Sequence, residues 1–174
     1  MNLNKGQDLI LNIVQNDAGL GKTAVMKIMF MLQQVKGVKT GYDFSIYTYG
    51  PYAPEVMEDI DEMVAERLLS CSMYPSHTYV GYKLNLLDKG EKAIVPLPEK
   101  EQRDLIDIVT FAREKSAKQL ELYSTIIYVD NLYKKNSWND DAKTIAKKVN
   151  EIKPHFSEET ILDAHSHLRE VKYI

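Results

Sequence analysis

The chain has 174 residues, 44% hydrophobic and 27% charged, with a net charge of −3 and a pI near 5.8. That length supports one self-sufficient core, and the acidic balance gives no general attraction to nucleic acid or anionic lipid. Cys71 is the only cysteine, which excludes an internal disulfide; no secretory leader or membrane-length apolar run is legible, so the cytoplasm is the expected compartment.

Leu9, Ile10, Ile13 and Val14 recur at helical spacing and predict a helix over 5–16, ended by the polar run QNDAG. Between Lys22 and Lys36, Val25, Met26, Met29, Phe30 and Leu32 form a wide apolar stripe, and Gly37 suits a C-cap. YDFSIYTY (42–49) alternates and is rich in β-formers, which predicts a strand; GPYAP (50–54) reads as a turn leading into the next helix. That helix, over 53–69, should bury Val56, Ile60, Met63, Val64 and Leu68. Two β-runs around a Pro-Ser-His turn then predict a hairpin, closed by DKGEKA (88–93). The prolines of VPLPEK (95–100) mark an internal boundary, after which 99–118, 119–135, 139–150 and 157–170 read as helices. Leu105, Ile108, Val109 and Ala112 are the stripe of the first of these.

Helices followed by a hairpin ending YKLNLLDKGEKAI have the sequence shape of a winged-helix domain. The runs KTAVMKIMFML, YDFSIYTYGPYAPEV and ERLLS resemble the SocA-like antitoxin (Panacea) domain, and most closely the small YwgA-like proteins. LELYSTIIYV and IKPHFSEETILDAHSHL share the YwgA-like character, and the sharpest signal is Tyr49-Gly50-Pro51 after a strand. The resemblance implies a winged-helix-like core with a helical extension and, for the antitoxin relatives, neutralisation of a toxin by direct binding. The expected fold is therefore mainly α with a small β-hairpin: residues 1–94 form the winged-helix-like unit and 95–174 a C-terminal helical extension packed on it.

AGLGKTAV (18–25) ends like a phosphate-binding loop, G-x-x-x-x-G-K-[ST]. The first glycine position is Asn16, a helix rather than a strand is predicted before it, and the chain lacks βαβ crossovers; no nucleotide site is expected. IIYVD (126–130) imitates the second carboxylate strand, but its flanks read as helix. His155, His165, His167 and Asp163 do not make a metal set, because residues two apart on a helix diverge; they read as surface histidines. Cys71 reads as a small packed residue, and no catalytic set or cofactor is expected.

The helix over 53–69 carries Glu55, Glu58, Asp59, Asp61, Glu62 and Glu66 against Arg67 alone. DNA phosphates would be repelled there; His77, Lys83, Lys89 and Lys92 around the hairpin could touch a DNA backbone but read better as a solvated rim. A solvated face explains these acids as well as a docking face for a basic partner protein does. Tyr47, Tyr49, Tyr52, Tyr74, Tyr79 and Tyr82 cluster about the turn and hairpin, where tyrosines serve either interfaces or half-buried strands. The expected function is a non-enzymatic protein-binding module, adaptor or antitoxin-type, with Tyr49, Gly50, Pro51, Tyr52, Glu55, Glu58 and Glu62 contacting another protein. A DNA-binding regulator is the alternative, and a homodimer stays open.

Overall fold

A computed structural model describes residues 2–75 and 80–174, and the side chains of 74–80 lie outside that description. The expected Pro-Ser-His turn, with Tyr74, His77 and Tyr79, falls there. The described residues form helices α1 (Lys5–Asn16), α2 (Lys22–Lys36), α3 (Pro54–Ala65), α4 (Asp88–Ala93), α5 (Glu99–Arg113), α6 (Ala117–Lys135), α7 (Ala142–Ile152) and α8 (Glu158–Glu170). Between them lie two antiparallel hairpins, β1 (Ser45–Tyr47) with β2 (Gly50–Tyr52) and β3 (Leu69–Pro75) with β4 (Val80–Leu86). The chain is thus mainly helical with small antiparallel β elements.

Helix α2 is the centre. Every residue from Val25 to Leu32 is buried, so the helix is enclosed all round rather than along one stripe. It packs on α5 and α6 on one side and on α1, α3 and β2 on others. Each large apolar side chain removed from water here contributes about 1.5–3 kcal/mol. Gly37 closes the helix in the left-handed conformation at φ 68°, as the sequence suggests. Helix α6 is the second buried rod, with Leu120, Leu122, Ile126, Ile127 and Val129 inside; one apolar core runs from α1 to α8.

Local chemistry sets the ends. Asn4 and Gln7 form a capping box on α1, and Ser116 and Gln119 repeat it on α6. Pro54 occupies the first turn of α3.

The region over 42–54 differs from expectation. The strand is shorter, Ser45–Tyr47, and the chain reverses at Thr48-Tyr49, because Tyr47 pairs with Gly50, Ile46 with Pro51 and Ser45 with Tyr52. Gly50 and Pro51 are therefore strand residues after the turn, not the turn itself. Proline is tolerated because this ribbon has one partner strand, so few of its backbone donors are claimed. Helix α3 ends at Ala65 rather than near 69, since Leu69 already opens β3. Val56, Ile60, Met63 and Leu68 are buried as expected, but Val64 is only partly so.

Candidate functional site

The β1–β2 hairpin is held from below by charges inside the protein. Lys27 interrupts the apolar run of α2, is 2% exposed, and donates from Nζ to the carbonyl of Pro51 at 2.6 Å. Burial lowers its pKa to about 8, with the Glu121 carboxylate opposing that shift and the Lys153 charge adding to it. From the opposite side Lys153, also buried, donates to the carbonyls of Tyr47 and Thr48 and lies 3.2 Å from Glu121 Oε1. His155 Nε2 lies 3.5 Å from the same oxygen. Two ammonium groups, one of them paired with a carboxylate, thus fix three backbone carbonyls of the eight-residue ribbon 45–52.

Gly50 completes the anchor. Its φ is +85°, where a side chain is disfavoured, and a Cβ would lie 3.1 Å from Thr125 Oγ1 and 3.3 Å from Ser124 Oγ on α6. Both hydroxyls donate back to the Glu121 carbonyl, Thr125 at 2.7 Å and Ser124 at 3.1 Å, so neither hydroxyl beneath Gly50 is an unsatisfied donor.

Of the residues expected to touch a partner, Gly50 and Pro51 are buried and serve as the anchor, whereas Tyr49 is 69% exposed at the tip and Tyr52 is half-buried beneath Tyr47, ring centroids 5.7 Å apart. Tyr47, beside them, is 66% exposed. The acids of α3 divide in two. Asp59 accepts from Tyr42 at 2.6 Å and from Gln7 at 2.9 Å, and Glu62 accepts from Gln7 at 2.8 Å, so both tie α3 to its neighbours. Asp61 pairs with Lys22 and Glu66 with Lys89. Glu55 and Glu58 are exposed, and Glu55 sits in the first turn where the helix dipole favours an acid.

Beside the hairpin a cleft of about 530 Å³ opens between the start of α2, the 17–21 loop, β4 and the α5–α6 corner; Tyr49 and Tyr82 are on its wall. The AGLGK loop borders it. Gly19 N–H donates to the Leu84 carbonyl at 2.8 Å and Leu84 N–H to the Leu20 carbonyl at 2.9 Å, so the loop runs along β4 as a short added edge. Gly21 lies close against the Tyr82 carbonyl and precedes α2 as its N-cap, with Lys22 and Thr23 in the first turn.

The histidines are not all at the surface as expected. His165 is buried by α8 packing, which lowers its pKa chiefly by desolvation, while His155 is exposed and His167 stacks on Phe111. Cys71 is half-buried and packed against the core. Among the described residues no group of three His, Cys, Asp or Glu side chains is placed to hold a metal ion, and no helix is long and apolar enough to cross a membrane.

No protein-family model matches the chain. It is similar to the uncharacterised protein YwgA of Bacillus subtilis (strain 168), 24% identical over 164 residues that span 92% of this chain and 93% of that protein. The likeness runs nearly end to end, so the hairpin, the cleft and the C-terminal helices all lie within it, and it supports a YwgA-like relationship. It brings no activity with it.

Proposed function

We propose that this protein is a non-enzymatic protein-binding module, of adaptor or antitoxin type, on a winged-helix-like core. The observation that carries the reading is the Thr48-Tyr49 tip: exposed tyrosines on a ribbon whose carbonyls are held by the buried Lys27 and Lys153. A pre-set aromatic surface gains affinity because little ordering is lost on contact, and tyrosine brings large area with a polar handle. Glu55 and Glu58, exposed on the helix that follows, supply a charge preference for a basic partner. The resemblance to SocA-like antitoxin domains agrees with capture of another protein. DNA reading by α3 is the weaker alternative, because its carboxylates would meet phosphates.

A photo-crosslinking residue in place of Tyr49 tests this in the native cell. A discrete protein adduct, diminished by Glu55→Lys with Glu58→Lys and absent when the crosslinker replaces Trp138 instead, is the expected outcome. The same adduct from both positions, or none from position 49, overturns it.

A further inference from the structure

The cleft beside Tyr49 has a composition of its own. Four cations line it, Lys22, Arg113, Lys115 and Lys118, against two carboxylates, Asp17 and Glu121, in a chain whose net charge is −3. They come from α2, the end of α5, the α5–α6 turn and α6, so the fold gathers them rather than one stretch of sequence. Their availability differs. Lys22 pairs with Asp61, and Arg113 is spent on Asp17 at 3.2 Å and on the Asn16 carbonyl at 2.8 Å. Lys115 lies 3.8 Å from Glu114, too far for a hydrogen bond, and its ammonium stands over the Phe111 ring, as that of Lys118 stands over the Phe156 ring. About one to two positive charges are thus left for a ligand, on stems long enough to turn inward.

The remaining lining is mostly apolar, with Leu20, Ala24, Ala112 and Leu120, and the volume is that of a small-molecule site. Glu121 also lines the cleft. It is 8% exposed, and its Oε1 is already engaged on the hairpin side, 3.2 Å from Lys153 Nζ and 3.5 Å from His155 Nε2. The first-turn N–H groups of α2, with no side-chain cap at Gly21, add donors for an anion.

We infer that this cleft binds a small organic acid: an anionic head of one or two charges held by Lys115, Lys118 and the start of α2, and an apolar body lying on Leu20, Ala24, Ala112 and Leu120. This goes beyond the protein-docking reading and does not depend on it. Tyr49 belongs to both surfaces, so a bound acid would sit beside the docking tip.

The probe is 4-hydroxyphenylacetate, titrated into the full chain and followed by amide chemical shifts, with inorganic phosphate as a control for simple ion adsorption. Saturable binding is expected, with shifts at residues 21–24 and 117–121. Lys118→Ala with Lys115→Ala should weaken it about tenfold, the scale of one charge-assisted hydrogen bond. Ala117→Trp, which fills the cleft at an exposed helix start without changing charge, should abolish it. Because Lys115 also covers Phe111, the single Lys118→Ala variant, several-fold weaker and fully folded, keeps the test independent of stability. No saturable binding, binding indifferent to Lys118→Ala and Ala117→Trp, or phosphate binding as tight as the organic acid overturns the inference. Crosslinking from position 49 reads the docking proposal separately.

Discussion

The ammonium of Lys27, enclosed in the middle of α2, donates to the carbonyl of Pro51 across the core at 2.6 Å. A buried lysine costs stability unless it has work to do, and here it ties the central helix to the exposed ribbon. Burial lowers its pKa to about 8, against 10.5 in a solvated chain. Below pH 8 both folded and unfolded forms carry the proton and the full desolvation cost is felt. Between 8 and 10.5 the folded form sheds the proton while the unfolded chain keeps it, so stability rises with pH in that window. The whole relief is on the order of 3 kcal/mol. Tyr42 and Tyr173 act in the opposite sense above about pH 10, because their raised pKa values keep them neutral while the unfolded tyrosines ionise. Urea unfolding of the wild type should therefore show stability climbing from pH 8 toward 10, and Lys27→Met should remove that climb. An equal slope in both proteins would reject this role for Lys27.

Gly50→Ala should destabilise the protein by about 1–3 kcal/mol, from a left-handed backbone carrying a side chain and from the tight approach to Thr125 and Ser124 on α6. Gly90→Ala should cost at least as much: a Cβ there would lie 2.1 Å from the Leu68 carbonyl, and backbone cannot move aside as a side chain can. Thermal unfolding measures both. A Gly90→Ala variant as stable as the wild type would mean that α4 is not seated against Leu68.

The acids of α3 should separate by task. Asp59→Ala leaves the buried Tyr42 hydroxyl without its acceptor and the Gln7 amide with Glu62 alone, at about 1–3 kcal/mol. Glu55→Gln and Glu58→Gln should change stability by no more than about 0.5 kcal/mol, as exposed positions do. If the docking reading holds, only the second pair reduces crosslinking from position 49. Equal losses of stability in both sets would show that the whole row supports the helix.

Much of this arrangement is legible in residue patterns. The stripe of α2, its Gly37 cap and the buried faces of α3 and α5 follow from helical periodicity and helix-end chemistry, which are local. The anchor is not local. Lys27, Glu121 and Lys153 are far apart in sequence, and no motif joins them; the one available signal was a lysine inside AVMKIMFML, a run too apolar to leave a charge at the surface. GPYAP reads as a turn because glycine and proline usually make one, yet the reversal sits at Thr48-Tyr49 and the Gly50 conformation serves contact with α6. In the sequence the acidic row reads as one surface, because charge alone is legible there. Which carboxylates are occupied depends on Gln7 and Tyr42, residues brought there by tertiary packing.

AGLGKTAV should bind no ATP despite its likeness to a phosphate loop. Such a loop works by turning successive backbone N–H groups inward on the phosphates. Here Gly19 N–H is given to the Leu84 carbonyl, and the Leu20 carbonyl receives Leu84 N–H, so this stretch is occupied along β4. Helix α1 precedes it where a buried parallel strand is required, Asn16 stands where the first glycine would be, and the described strands pair only as antiparallel hairpins. Lys22, which would reach the phosphates, is directed to Asp61 and stands over the Tyr82 ring. Calorimetric titration with ATP and magnesium should therefore give no binding heat at micromolar concentration, while an organic acid of low charge still enters the neighbouring cleft. A micromolar dissociation constant for ATP that disappears in Lys22→Ala would show that the loop can leave β4 and close around phosphate.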